Sequence, residues 1–258
     1  MLSFQSFNKM TNLNGATLIY NGLYAIFSAR ENVYAHLAKS FYGSFVPNAL
    51  REEINFLIDY AALIGDSGRE LTTAVGCYCE AAGNIISENT DSLEFEYNRL
   101  FVGPARLIAP PYESVYRTAT RLVMGETMFD VKRAYREIDM EIRNTLREPE
   151  DHIAIELEYL AELQKRCLTA LEEHDIHELR RIVNLEITFL EDHLLRWVPE
   201  FCQRIKEGSR MDFFKALAEV LVLLIKKDHE ILEGLTVTLD RDEENTFSVN
   251  LSQTKKGG

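Results

Sequence analysis

Three side chains that follow a rigid step are the first place where this sequence could do chemistry. Pro110 and Pro111 each fix a backbone φ angle, and Tyr112, Glu113 and Ser114 come directly after them, with Tyr116 close behind. An aromatic ring, a carboxylate and a hydroxyl held at the end of a stiff loop add little to a core and suit contact with a partner. The same stretch also reads as a packed connector between two helical halves, and the residues alone leave both readings open. A second irregular point is Glu148-Pro149-Glu150-Asp151-His152. Pro149 suits a first helical turn, where its missing N–H would have no partner anyway. Glu150 and Asp151 favour the positive end of a helix. A helix start accounts for every residue of this run except His152, which it leaves as a surface histidine.

No set of residues assembles into a catalytic centre. The chain has no G-x-x-x-x-G-K-[ST] phosphate loop, no G-x-S-x-G and no H-E-x-x-H. Glu156 and Glu158 lie two apart on a helix and point to different faces, a poor acid–base pair. Cys77 and Cys79 form a C-x-C that no second pair completes into a zinc site, so these two and Cys167 and Cys202 read as buried or incidental thiols. His174 and His177 flank Asp175 without a carboxylate–histidine pattern to complete a metal site. The expectation is a protein that is not an enzyme and carries no metal or cofactor.

The formal net charge of −13 argues against a nucleic-acid backbone or an anionic membrane as partner and is compatible with a basic peptide. No secretory apolar region opens the chain. The most apolar run, 216–225, is interrupted by Glu219 and is shorter than the ~20 residues a bilayer needs. A soluble, cytoplasmic protein without membrane insertion is expected.

Helices must position these residues. Hydrophobic residues make up 46% of the chain, enough for a sizeable core, and prolines cluster at breaks. Residues 1–15 lack periodicity. Apolar residues then recur at helical spacing over 17–28, 30–42 (Val33, Leu37, Ala38, Phe41), 50–63 (Leu50, Ile54, Leu57, Ile58, Ala61) and 70–87 (Leu71, Ala74, Val75, Tyr78, Ala82, Ile85). In 94–102, Phe95, Leu100 and Phe101 can share one face before Gly103-Pro104 stops the helix. After the loop a helix begins near Ser114, another runs to about Leu146 on Met128, Val131, Tyr135, Ile138 and Ile142, and a third follows Pro149. Residues 178–205 form a long helix that Pro199 kinks or ends, and 211–232 form the last. After Gly234 the pattern fails. The fold class is all-α, a compact multi-helix array of about ten helices. Residues 1–110 are an N-terminal helical half, 111–236 a C-terminal half, and 237–258 a polar, loose tail.

The stretch EFEYNRLFVGPARLIAPPYESVY resembles a signature of the TorD/DmsD/NarJ-type chaperones, which help mature molybdenum oxidoreductases. The resemblance rests on Leu100, Phe101, Gly103, Pro104, Pro110, Pro111, Tyr112, Ser114 and Tyr116. Three further runs resemble the same family: ENVYAHLAKSFY its first helix, DHIAIELEYL its Asp-His helix start, and FLEDHLLRWVPEF its His-Leu segment followed by Trp and Phe. The resemblance implies a system-specific cytoplasmic chaperone for an apo molybdenum oxidoreductase subunit, its twin-arginine signal peptide, or both, which assists cofactor insertion and delays export. It implies signal-peptide or client binding at Pro149, Asp151 and His152. A leader with two arginines calls for carboxylates beside an apolar wall; Glu113 and Asp151 are the candidate carboxylates and Tyr112 the wall, with Ser114 beside them. Trp197 reads as a packing anchor. The other class left open is a helical enzyme acting on a nucleotide or metal-bound substrate. The identity of the client stays open, as does a homodimer formed by exchange of helical halves.

Overall fold

The computed structural model describes residues 13–65, 69–88, 91–104, 107–117, 126–140 and 148–254. Two stripes predicted as separate are one helix, α1 (Leu13–Phe41), which buries Leu23, Phe27, Val33, Tyr34, Leu37, Ala38 and Phe41. Three- and four-residue steps place these side chains on one face. Helix α2 (Pro47–Ile64) has proline in its first turn, and α3 (Arg69–Glu88) buries all six residues of its predicted stripe. The stripe of α2 is shifted: Tyr60 is buried and Ile58 is exposed, because Leu50, Ile54, Leu57 and Ala61 lie on the Tyr60 side.

Helix α4 (Asp91–Tyr97) widens into a π-helical turn, Asn98–Val102, before Gly103. Its buried face is Leu93, Glu96, Leu100 and Phe101, and Phe95 is 71% exposed. Phe95 lies about 100° around the helix from Glu96 and so misses the core. Phe101 packs edge-on against Phe41 and Phe214 and beside Phe201. Glu96 accepts from Arg99 Nε and Nη2, from the Ser209 hydroxyl and from the Arg210 N–H, which ties this helix to the turn after residue 208. Gly208 there meets the loop closely: a Cβ would fall 2.2 Å from Ile108 Cγ2. The loop thus lies fixed against the core at one end.

The loop leads into α5 (Glu113–Arg117), then α6 (Glu126–Arg136). Helix α6 ends earlier than its apolar spacing suggests: Ile138 is buried in a turn, Asp139 has a positive φ, and residues 141–147 lie outside the described set, as does Gly125. Helix α7 (Ile153–Glu172) is buried along most of its length and lies along α1. Helix α8 (Ile176–Phe189) is capped by Asp175, whose carboxylate accepts the Glu178 N–H. A second π-helical turn, Leu190–Leu194, joins it to α9 (Leu195–Gly208). Pro199 sits inside α9 without ending it.

The last helix, α10 (Asp212–Thr254), runs past Gly234, where the apolar pattern fails. Leu235 and Leu239 are buried and Arg180 donates to the Leu239 carbonyl, so the tail boundary expected at residue 237 falls inside a packed helix. Among the described residues the one extended pairing is a single antiparallel bridge, and helices before and after the loop share one core. The all-α class is confirmed.

At the centre of that core sits a charge. Arg30 donates through Nε to Asp228 (2.8 Å), through Nη1 to Gln164 (2.9 Å) and through Nη2 to Glu186 (2.7 Å). Gln164 also donates to Glu186, and the hydroxyls of Tyr34 and Tyr60 donate to Asp228. Every one of these side chains is fully buried, and together they join α1, α2, α7, α8 and α10. Burial works against the Arg30 charge, but Asp228 and Glu186 outweigh it and hold the guanidinium firmly protonated. Burial likewise pushes the Tyr34 and Tyr60 hydroxyls up, with Asp228 adding to it, so both stay donors. Removing one partner of such a set leaves an uncompensated buried charge. Arg30→Ala is expected to cost about 3–5 kcal/mol, read as a lower urea midpoint, and Arg30→Ala with Asp228→Asn is expected to lose less than the sum of the two single changes.

Candidate functional site

The two irregular segments lie side by side. The bridge pairs Tyr112 with His152: Glu113 N–H donates to the Asp151 carbonyl (3.0 Å) and Ile153 N–H to the Pro111 carbonyl (2.9 Å). Pro110 and Pro111 hold the loop extended, which presents it as a strand-like edge. The Asp151 carboxylate then accepts the Ser114 N–H at 2.9 Å, so a residue of one segment caps the helix that starts in the other. Pro149 lies outside α7, in the turn that the His152 N–H closes onto its carbonyl. The helix begins four residues after the position its proline suggested.

His152 is the cap of α7. Its Nδ1 accepts the Ala154 N–H at 3.1 Å, and the residue is 2% exposed, where the helix-start reading left it on the surface. Burial pushes its pKa down to about 3, so the ring is neutral and remains an acceptor at ordinary pH. The ring is stacked on Tyr42 (centroids 5.7 Å apart, 4° between planes) and meets Tyr112 edge-on (5.3 Å, 71°). The Tyr112 hydroxyl donates to Glu148 (2.7 Å) and the Tyr42 hydroxyl to Glu158 (3.1 Å). Burial raises both phenols, with Glu148 and Glu158 respectively adding to it.

Exposure separates the candidate residues into two sets. Glu113, Ser114, Asp151 and His152 are buried; Tyr112 and Pro149 are half-buried. Both carboxylates chosen from sequence therefore face inward. Glu113 accepts Arg117 Nη1 at 2.6 Å and lies 2.8 Å from His193 Nδ1. The acidic groups that reach the surface here are Glu148 and Glu150, half-buried, and Glu158, exposed; Glu150 is paired with Lys132 (2.8 Å), while Glu148 and Glu158 are each joined to a tyrosine. The residue pattern does not mark Tyr42, Glu148 or Glu158 as site residues. Tyr42 directly precedes the Gly43 break and Glu148 directly precedes Pro149, so proximity to a break was the available signal. Glu158 was recognised as pointing away from Glu156, and it does.

The third segment underlies the other two. His193 reaches Glu113, and fully buried Trp197 packs on Tyr116 (5.3 Å) while donating to Glu156 (3.1 Å). The Arg204 guanidinium lies over the Tyr116 ring at 4.8 Å. Trp197 is a packing anchor, as its sequence context suggested. Among the described residues one trio, Glu191, His229 and Glu233, has ligand atoms close enough to share an ion; His174 and His177 do not belong to it. A groove of about 440 Å³ between α3, α9 and α10 has its lysines, Lys206 and Lys215, tied to Glu219 and Asp212, and it shares no residue with the paired segments. No described helix is long and apolar enough to cross a membrane.

With Asp151 bonded to Ser114 N–H and closed off from solvent, Asp151→Ala removes a charged acceptor from a buried donor. The expected result is a loss of about 1–3 kcal/mol in unfolding free energy, measured by chemical denaturation. A variant as stable as wild type would show that the capping bond contributes nothing.

Residues 66–203, just over half of the chain, match the nitrate reductase delta subunit family. That span holds the loop, the helix start and the His193–Trp197 segment. The chain is 24% identical to a chaperone protein TorD of Aliivibrio salmonicida over 216 residues, 83% of this chain and 99% of that protein. It is 28% identical to a chaperone protein TorD of Vibrio vulnificus over 166 residues, 64% of this chain and 76% of the relative, and 29% identical to that of Vibrio atlanticus over 167 residues, again 64% and 76%. On the family match, the paired signature segments and the all-helical core, the chain belongs to the nitrate reductase delta subunit family, that of the TorD-like chaperones.

Proposed function

We propose that this protein is a cytoplasmic maturation chaperone that holds an apo molybdenum oxidoreductase subunit, its twin-arginine leader peptide, or both, assisting cofactor insertion and delaying export. The observation that carries this reading is the bridge between Tyr112 and His152, which makes one surface out of two segments of the family signature. Its relatives are named as chaperones, and a binding role needs no catalytic set. Tyr112, Tyr42 and Pro149 offer an apolar, aromatic floor, and Glu148 and Glu158 are the carboxylates a partner can reach. A guanidinium presents donors in a fork that matches a carboxylate, so an arginine beside an apolar run suits such a surface. Glu113, Ser114, Asp151 and His152 contribute from beneath, by fixing the loop and the helix start in register.

The test is titration calorimetry of a synthetic twin-arginine leader peptide. Glu148→Gln is expected to weaken binding by about 1.5–3 kcal/mol, the range for hydrogen bonds to charged groups. Tyr112→Ala is expected to weaken it as well, and neither change is expected to lower the melting temperature by much. Added salt should weaken the wild-type complex while leaving an apolar remainder, because attraction between exposed charges is screened beyond ~8–10 Å. Wild-type affinity in both variants, with the fold intact, removes this surface from consideration.

A further inference from the structure

Three carboxylates from three adjoining elements are buried beneath the paired segments: Glu113 of α5, Asp151 of the turn before α7, and Glu156 in the first turn of α7, all fully inaccessible to solvent. Their polar partners are unevenly shared. Arg117 and His193 both bind Glu113, one on each carboxylate oxygen. Asp151 accepts the Ser114 N–H and stands at the start of α7, where the positive end of the helix favours it. Among the described residues Glu156 accepts only the neutral Trp197 N–H at 3.1 Å; there its Oε1 has no hydrogen-bond partner, and neither has Asp151 Oδ1. Among the described residues two phenols also face this cluster, Tyr135 on α6, whose hydroxyl donates to the Glu150 carbonyl, and Tyr112 beside Asp151, whose hydroxyl donates to Glu148; neither supplies a charge.

A buried carboxylate without a cation is far less costly when neutral than when ionised. From this placement we infer that Glu156 is the seat of a resident proton, and that this proton keeps the Pro110–Ser114 loop docked on α7 by removing one of three mutually repelling charges. Burial first, and then Glu113 and Asp151, hold the Glu156 carboxyl well above the usual carboxylate range. The sign follows. The unfolded chain releases this proton near pH 4.5 and the folded chain keeps it. Stability therefore falls as the pH rises from the unfolded value towards the folded one, and levels off above it. If the surface above the cluster binds a leader, as proposed above, its affinity falls over the same range; only this binding consequence rests on that reading.

Two readouts test the proton itself, and a third tests its consequence. The unfolding equilibrium of the full chain is followed in urea from about pH 5 to about pH 9, for wild type and Glu156→Gln, where one linked proton changes the constant by up to about tenfold per pH unit. The wild-type profile should fall more steeply than that of E156Q. Difference infrared spectra at neutral pH should show a protonated-carboxyl stretch in wild type that E156Q lacks. Equal slopes overturn the inference, and so does a wild-type spectrum without that band, a result that does not depend on the variant folding. Titration of a twin-arginine leader peptide is the third arm. Affinity that falls with pH in wild type but not in E156Q supports both the proton and the surface. PH-indifferent binding beside a slope that E156Q abolishes supports the proton and counts against the surface reading alone.

Discussion

Arg30 sets a full positive charge among five helices, closed off from bulk solvent, and the packing of α1, α2, α7, α8 and α10 is arranged around satisfying it. An apolar core of this size would hold together with several relative placements of its helices. A guanidinium with Asp228, Gln164 and Glu186 at hydrogen-bond distance has one. The arrangement matters for the distant surface because α1 carries Arg30 and, just past its end, Tyr42. The helix that answers Arg30 with Gln164 also begins at His152, on which Tyr42 is stacked. The register fixed in the centre is the register delivered at the surface.

The paired segments show how polar groups at two depths divide the work. Backbone hydrogen bonds of the bridge and the Asp151 cap hold the loop and the helix start together, and they are buried, where such bonds resist competition from water. Above them, tyrosine hydroxyls orient carboxylates that solvent can reach. The upper layer alone would be loose; the lower layer alone would leave no acidic group at the surface.

Much of this was legible in the residues. The stripe of α3 was read in full because a helix that covers one core face needs only regular spacing. The stop at Gly103-Pro104 and the stiffness of Pro110-Pro111 are local backbone properties and were equally plain. Inward and outward charge were not. Glu113 and Asp151 look as suited to a surface as Glu148 and Glu158 do, and only partners distant in sequence, His193 for Glu113 and the Ser114 N–H for Asp151, reverse the choice. Arg30 is hidden for the same reason, since a lone charge within an apolar stripe carries no mark of its partners on other helices. Ile58 and Phe95 fit their stripes by spacing and still face solvent, because Tyr60 and Glu96 occupy the inward positions.

The π-helical turn at Leu190–Leu194 separates two duties on what would otherwise be one continuous helix. Glu186, before it, answers Arg30; His193 and Trp197, within and after it, serve Glu113 and Glu156. A π turn accommodates one more residue than an α turn, which rotates everything downstream by about 100° relative to everything upstream. The spare residue acts as a phase shifter between two polar centres. A chain one residue shorter here could keep either centre aligned with its partners but not both, so the length of this short stretch, and not only its side chains, sets the geometry of both.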